Sequence, residues 1–442
     1  MEAKRLERKF SQSLTQKALI IAGLALLLLI PSVLVQNLIL ERKNRSEETI
    51  RKINEKWSLS QRLCGPVLSI PFTTTYVNEK EKVREEHVVS LTPKNLNIRV
   101  RLIPEERHYG IYKTILYKSE IQLSGQLPDV SRLKIADKNN TIHFSRAYLS
   151  LGISDLRGLT DEVDFRLNGN ACPAEVGGEN YVSGKNMVVN LPDVLTEAPD
   201  KVYEFDCKLK LNGSSSMDFV PIGSATGVNV AGSWKTPGFT GSFSPDYQLS
   251  DTGFVASWSV LSINRSIPEY WVDEDEKITS LRLPSFGVTL VDTVDHYQQN
   301  MRSAKYAIMF IALTFVAFFF VEVLTKKRIH PVQYLLVGFA LILFYSLLLS
   351  ISEQLHFAAA YLIAAVATIA LITTYASGIF KSKVQTGILA LILSILYLFL
   401  YVILQLEDVA LLIGSIGLFA ILGIVMYFSQ KIKWYRQGED IE

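Results

Sequence analysis

The chain has 442 residues, of which 45 are Lys or Arg and 43 are Asp or Glu, so its formal charge is close to neutral. That balance removes the electrostatic case for a nucleic-acid partner. The hydrophobic fraction, 49%, is ordinary, but apolar residues concentrate in one run near the N-terminus and in a dense block after residue 305.

A bilayer core about 30 Å thick needs about 20 apolar helical residues. Runs of that size lie at 18–40, 306–325, 332–351, 357–380, 384–405 and 409–429, which predicts six transmembrane helices. The first run, ALIIAGLALLLLIPSVLVQNLIL, holds Pro31 but no charge. It is long for a signal-peptide core and shows no small-x-small cleavage site before Glu41, so an uncleaved anchor is expected. The following ERKNRSEETIRKINEKW places Ile50, Ile53 and Trp57 on one helical face, which predicts a stalk.

Residues 41–305 are polar and mixed, long enough for a core of their own. Period-two alternation marks strands. In YEFDCKLKL, Tyr203, Phe205, Cys207, Leu209 and Leu211 alternate with charge, and in LNIRVRL so do Leu96, Ile98, Val100 and Leu102. One buried and one wet face is the expectation, in antiparallel pairing. Turn signals are read at Asn168-Gly169, Asn212-Gly213, Ser124-Gly125 and Pro237-Gly238. A mostly β domain follows, either one twisted sheet system or two stacked modules. A second stalk, TVDHYQQNMRSAKYA, is expected to run straight into the second span.

Chemical motifs are sparse. The three cysteines, Cys64, Cys172 and Cys207, all fall in this domain; a Cys172–Cys207 bridge is left open by spacing, and Cys207 on an apolar strand face reads as a buried thiol. GGENYVSGKN (177–186) misses a phosphate loop, because Gly178 is one residue too far from Gly184 and Asn186 stands where Ser or Thr should. The six histidines are scattered singly, and DEDE (273–276) lacks the interleaved glycine of a calcium loop, so no metal and no cofactor is expected. No nucleophile motif occurs, and no catalytic residue is assigned.

In the C-terminal block, Glu322 is the one acid placed inside a span, four residues before Lys326, which predicts an i,i+4 ion pair at the cytoplasmic edge. His330 and Pro331 fit the start of the next helix, with Gln333 and Tyr334 in its first turns. Ala360, Ala364 and Ala367 permit close packing of the fourth span, and Gly414, Gly417 and Gly423 suggest the same for the sixth. Lys and Arg flank the runs on alternating sides: Lys4 to Lys17 before the first, Lys326 to Arg328 after the second, Lys381 and Lys383 after the fourth, and Lys431 to Arg436 after the sixth. By the positive-inside rule both termini should be cytoplasmic and 41–305 outside. Arg42, Lys43 and Arg45 run against that pattern, but long domains translocate largely regardless of charge.

Several stretches carry a family likeness: GPVLSIP (65–71), RHYGIY (107–112), GFVASWSVLSINR (253–265), the run HYQQNMRSAKYA to SISE (296–353), and EDVALLIGS (407–415). On these the chain resembles the CreD-like inner-membrane proteins of bacteria, also called cell-envelope integrity proteins, over nearly its full length. Lys433, before Trp434-Tyr435, departs from the acidic residue of the family pattern. The runs, alternation and flanking charges together predict an α+β membrane protein of six spans, one N-terminal and five C-terminal. A large mostly β periplasmic domain (41–305) is expected between helices 1 and 2, with short cytoplasmic ends at 1–17 and 430–442. The resemblance implies a polytopic inner-membrane protein with a role in envelope integrity and stress tolerance, and no reaction. Glu322, His330, Gln333 and Tyr334 on the inner side, and Ser352 and Glu353 on the outer side, become the candidate functional residues. The leading expectation is a non-enzymatic protein in the lipid bilayer whose exported domain binds an envelope protein, lipid or cell-wall partner. Alternatives are a lipid or small-solute transporter using Glu322 and His330, and a membrane enzyme acting on lipid or wall material.

Overall fold

The computed structural model describes residues 16–78, 81–130, 139–180, 184–191, 202–273, 283–290, 296–325, 329–406 and 409–430. Two compact units divide the chain, one of residues 1–46 with 294–442 and one of residues 47–293.

The inserted unit is built of two sheets. Eight strands run in the order β15 (Asp246–Ser250), β16 (Gly253–Leu261), β13 (Ala225–Gly232), β3 (Asn95–Tyr109), β4 (Tyr112–Gln126), β11 (Glu204–Ser214), β7 (Asp164–Leu167) and β8 (Asn170–Cys172). The second sheet centres on the long β1 (Gln61–Asn78), which pairs with β2 (Glu81–Leu91), β5 (Asn140–Ile142), β6 (Tyr148–Ile153) and β12 (Ser216–Phe219). The path continues through β18 (Phe286–Leu290) to β14 (Pro237–Gly241) on one side. On the other it runs through β10 (Gly184–Asn190) to β9 (Ala174–Asn180), and β17 (Tyr270–Val272) sits on β2. Alternation in sequence becomes alternation in burial: Leu96, Ile98, Val100, Leu102, Cys207, Leu209 and Leu211 are buried while Arg99, Arg101, Lys208 and Lys210 are exposed. Inner faces of both sheets join in one apolar core, with Phe219, Phe286, Leu123 and Leu211 wholly inside. Each such side chain contributes about 1.5–3 kcal/mol on burial.

Two expectations about this unit need correction, and the question left open at the cysteines is answered. Pairing is not uniformly antiparallel: β3 lies parallel to β13, and β1 parallel to β12. A half-wet strand alternates the same way beside either kind of neighbour, so the pattern could not tell them apart. Of the turn signals, only Asn168-Gly169 is a turn, a two-residue hairpin with φ of 48° and 85° between β7 and β8. Ser124-Gly125, Asn212-Gly213 and Pro237-Gly238 lie inside strands. Gly213 is there for space: a Cβ on it would come within 2.3 Å of the Tyr117 hydroxyl, which donates to the Ser216 carbonyl at 2.7 Å. Finally, all three cysteines are free. Cys172 and Cys207 both register on Phe165, on opposite sides of β7, so two strand spacings of about 4.8 Å separate them, beyond disulfide reach.

GGENYVSGKN falls across the β9–β10 hairpin, with 181–183 outside the described residues. Of DEDE only Asp273 is described.

The other unit is helical: α1 (Gln16–Trp57, whose last turns from Glu47 belong to the β unit), α2 (His296–Lys305), α3 (Ala307–Thr325), α4 (Pro331–Ser352), α5 (Phe357–Phe380), α6 (Lys383–Gln405) and α7 (Ala410–Gln430). Five of these helices are long and apolar enough to cross a membrane, and α2 with α3 forms a bent pair that passes the same test jointly. The second stalk therefore does not run straight: α2 and α3 meet at 46°. At the bend the Tyr306 amide donates to the Ser303 carbonyl at 3.1 Å, an i→i+3 bond that tightens the turn.

Close packing along α5 follows a period of four, with Ala360, Ala364, Thr368, Ile372 and Ala376 buried, so Ala367 faces outward against expectation. In α7, Gly417 lies against the Phe399 ring, but Gly423 has open space around it, and Leu411 and Phe419 are 86% and 79% exposed.

Candidate functional site

The sequence-selected residues gather at the two ends of α4. At the first end, Glu322 sits on the last turns of α3 and is buried. Its Oε1 accepts from the Lys17 ammonium of α1 and from the Ile329 amide at 3.0 Å, and its Oε2 accepts from the Tyr334 hydroxyl at 2.8 Å. Tyr334 is held edge-on by Phe315 and Phe318, with ring centroids 5.5 and 6.1 Å away. Lys326, the expected partner, lies outside the described residues. What the fold supplies is a tie between α1, α3 and α4 that no helical periodicity encodes.

His330 and Gln333 act locally. The Gln333 side chain accepts from the His330 amide at 2.9 Å, and His330 Nδ1 accepts from the Val332 amide at 3.3 Å. Together with Pro331 at the first turn, they satisfy amides that a helix start leaves without partners. His330 is exposed and shares no hydrogen bond with Glu322 among the described residues.

At the other end of α4, the Glu353 carboxylate accepts two hydrogen bonds from the Arg42 guanidinium, one at 2.8 Å, and one from the Tyr297 hydroxyl at 3.1 Å. Ser352 accepts from Asn300 Nδ2 at 2.7 Å and donates to the Leu349 carbonyl at 3.0 Å. Lys17 and Arg42 were read from sequence only as flanking charges, and Tyr297 and Asn300 were not singled out. The i, i+3, i+7 spacing of Tyr297, Asn300 and Ala304 on α2 was the available signal, since all three are buried.

Between the two ends lies an aromatic cluster. Phe344 packs edge-on to Tyr361 and Tyr397, with centroids 5.5 and 4.8 Å away, and the Tyr361 hydroxyl donates to the Tyr397 carbonyl at 2.7 Å. The hydroxyls of Tyr345 and Thr314 are buried without a hydrogen-bond partner among the described residues.

In the β unit, the wet face of the eight-stranded sheet bounds a groove of about 670 Å³. Strand register sets a polar row straight across it: Asp246, Ser257, Asn229, Arg99, Gln122, Lys208 and Asp164. A parallel row brings Arg101, Glu120 and Lys210 alongside. Neighbouring charges pair, Lys210 with Asp161 at 2.7 Å and Arg166 with Asp164 at 3.0 Å, so the floor is polar and nearly neutral. Among the described residues no cluster of three or more His, Cys, Asp or Glu is placed to hold a metal ion.

Comparison with known proteins supplies the class. The family model described as inner membrane protein CreD matches residues 13–435. Inner membrane protein CreD of Escherichia coli (strain K12) is 31% identical over 418 residues, covering 93% of this chain and 92% of its own length. Among solved structures, native yeast LTA4 hydrolase aligns over 51% of this chain and 35% of its own at a TM-score of 0.20 and 7% identity, which carries no argument. With a match over nearly the whole chain, a sheet-rich unit and several long apolar helices, the chain is a multi-pass inner-membrane protein and belongs to the CreD family.

Proposed function

We propose that the chain crosses the inner membrane six times, with both termini cytoplasmic and the β unit periplasmic. There it supports envelope integrity and stress tolerance by holding an envelope partner in the groove over β3, β4, β11 and β13. Supporting the topology, Lys17 and Arg42 stand 25 residues apart on α1, roughly 37 Å along a helix, close to the 40–45 Å of a whole bilayer. Each is neutralised by an acid of the helix bundle, Lys17 by Glu322 and Arg42 by Glu353. Arg42 on the outer flank is thus a paired charge, which removes its apparent conflict with the positive-inside pattern.

The groove carries the functional half of the proposal. Planar polar groups of both signs, near-neutral in sum, suit a partner that is itself polar and not strongly charged, and the role is one of binding without catalysis. A photo-crosslinking residue at Asn229 should capture an envelope component in growing cells. The double variant Arg99→Glu/Lys208→Glu should lose that capture and the protection together while remaining at normal abundance. Full protection by that variant would overturn the assignment.

The transporter alternative needs Glu322 to exchange partners during a cycle. Both of its oxygens are already engaged by Lys17, Ile329 and Tyr334, which favours a structural role.

A further inference from the structure

Within the helical unit, buried side-chain oxygens without a hydrogen-bond partner among the described residues include Gln299 Oε1, Asn300 Oδ1 and Ser303 Oγ on α2, Thr314 Oγ1 on α3 and the Tyr345 hydroxyl on α4. Asn300, Ser303, Thr314 and Tyr345 are each no more than 2% exposed, so bulk solvent does not serve them. A polar group left unpaired in a bundle set in hydrocarbon is costly, because nothing outside the bundle can pair with it.

Contacts between the helices order these oxygens along the bundle. Tyr297 meets Glu353 and Asn300 meets Ser352, so the start of α2 lies level with the end of α4. Phe310 and Phe344 both pack on the Tyr397 ring, with centroids 5.0 and 4.8 Å away, which sets them level with each other. Further along, Phe315 and Phe318 pack on Tyr334. Ser303, one turn past Asn300, therefore falls between the levels of Ser352 and Phe344. Tyr345 stands at the Phe344 level, two turns from Ser352 on the same buried stripe of α4. Thr314 comes one turn past Phe310. The oxygens thus recur at roughly one helical turn, about 5–6 Å. Two hydrogen bonds of a bridging water, about 2.8 Å each, span the same distance.

The bend between α2 and α3 points the same way. It falls at Ser303–Tyr306, turns the chain by 46° and contains neither Pro nor Gly. Water entering the i→i−4 ladder is one of the few other causes of so sharp a kink. Beyond Thr314 the polar line stops. Phe315, Phe318, Val337 and Leu341 are buried there, and Glu322 stands eight residues further along α3, about 12 Å.

We propose that the helical unit binds a file of water running from Asn300 and Ser352 past Ser303 and Tyr345 to Thr314. The bundle is hydrated to part of its depth from the Glu353 end and dry between Thr314 and Glu322, so the two ends of α4 share no polar path. Each water in the file finds the two to four partners that hold a buried water in place. The inference concerns the helical unit alone and is independent of the orientation and the groove proposed above.

The full chain in bilayer nanodiscs of phosphatidylethanolamine and phosphatidylglycerol provides the test. Brief X-ray radiolysis makes hydroxyl radicals from bound as well as bulk water, and mass spectrometry reads which side chains take up oxygen. Corrected for the intrinsic reactivity of the two side chains, Tyr345 should be oxidised several-fold faster than Phe318 of the apolar layer. A Tyr345 rate no higher than that of Phe318 would overturn the proposal. The sign of a stability change gives a second reading. Tyr345→Phe should lower the melting temperature, because a bound water loses a partner. An unchanged or higher melting temperature would mean that the hydroxyl was dry and unpaired, and would equally overturn it.

Discussion

Glu322 and Lys17 show how a buried charge in a membrane protein can be read. The carboxylate has three donors, and removing one member of a buried pair leaves the other uncompensated, which typically costs about 3–5 kcal/mol. Glu322→Ala should therefore lower the melting temperature of the detergent-solubilised protein strongly. Adding Lys17→Ala should recover part of the loss, and strictly additive effects in the double-mutant cycle would contradict the tie. Asp155, in the β unit, supports a pH prediction. The Arg157 guanidinium holds its carboxyl well below the usual carboxylate range, against the opposing effect of burial and with help from the Leu59 and Arg157 amides. A depressed folded pKa stabilises fully above the unfolded value of about 3.9, and the contribution is lost as pH falls through the folded one. The melting-temperature gap between wild type and Asp155→Asn should be widest at neutral pH and should narrow only below about pH 4. A gap that stays constant to the acid limit would remove Asp155 from the stability balance.

At the level of elements, strands were legible where one face is buried. The alternation in 96–102 and 203–211 translates directly into burial, because side chains on a strand alternate between faces. Strand partners and turns were less legible. Gly213 looked like a turn residue because glycine serves both φ freedom and close approach, and sequence does not separate the two. Here it is close approach to Tyr117. Gly213→Ala should destabilise the β unit by about 1–3 kcal/mol through overpacking, and Tyr117→Leu should relieve part of it. Equal melting temperatures for wild type and Gly213→Ala would show that the contact yields without cost. The bend between α2 and α3 was missed for a similar reason: it contains neither Pro nor Gly, and it rests on one i→i+3 bond at Ser303.

For the molecule as a whole, the order anchor, β insertion, helical block is written in hydropathy alone. The topology prediction belongs at this scale. Single cysteines near positions 200, 354 and 407 should react with a membrane-impermeant reagent added outside intact cells, and one near 328 should react only from the cytoplasmic side. Any other order would overturn the six-span arrangement. Sequence by itself determined which segments are apolar enough to leave water and which strands have a wet face, while the candidate residues at the two ends of α4 came from the stretches that carry the family resemblance. Hydropathy and a wet face are properties of neighbours in the chain, and period and composition report on such neighbours. Only the tertiary structure decided what those residues touch. Glu322 meets Lys17 across 305 positions and Glu353 meets Arg42 across 311, while the groove floor is drawn from strands up to about 150 residues apart. Contacts of that separation leave no periodic trace, because they are chosen by the packing of whole faces and not by the spacing along any one element.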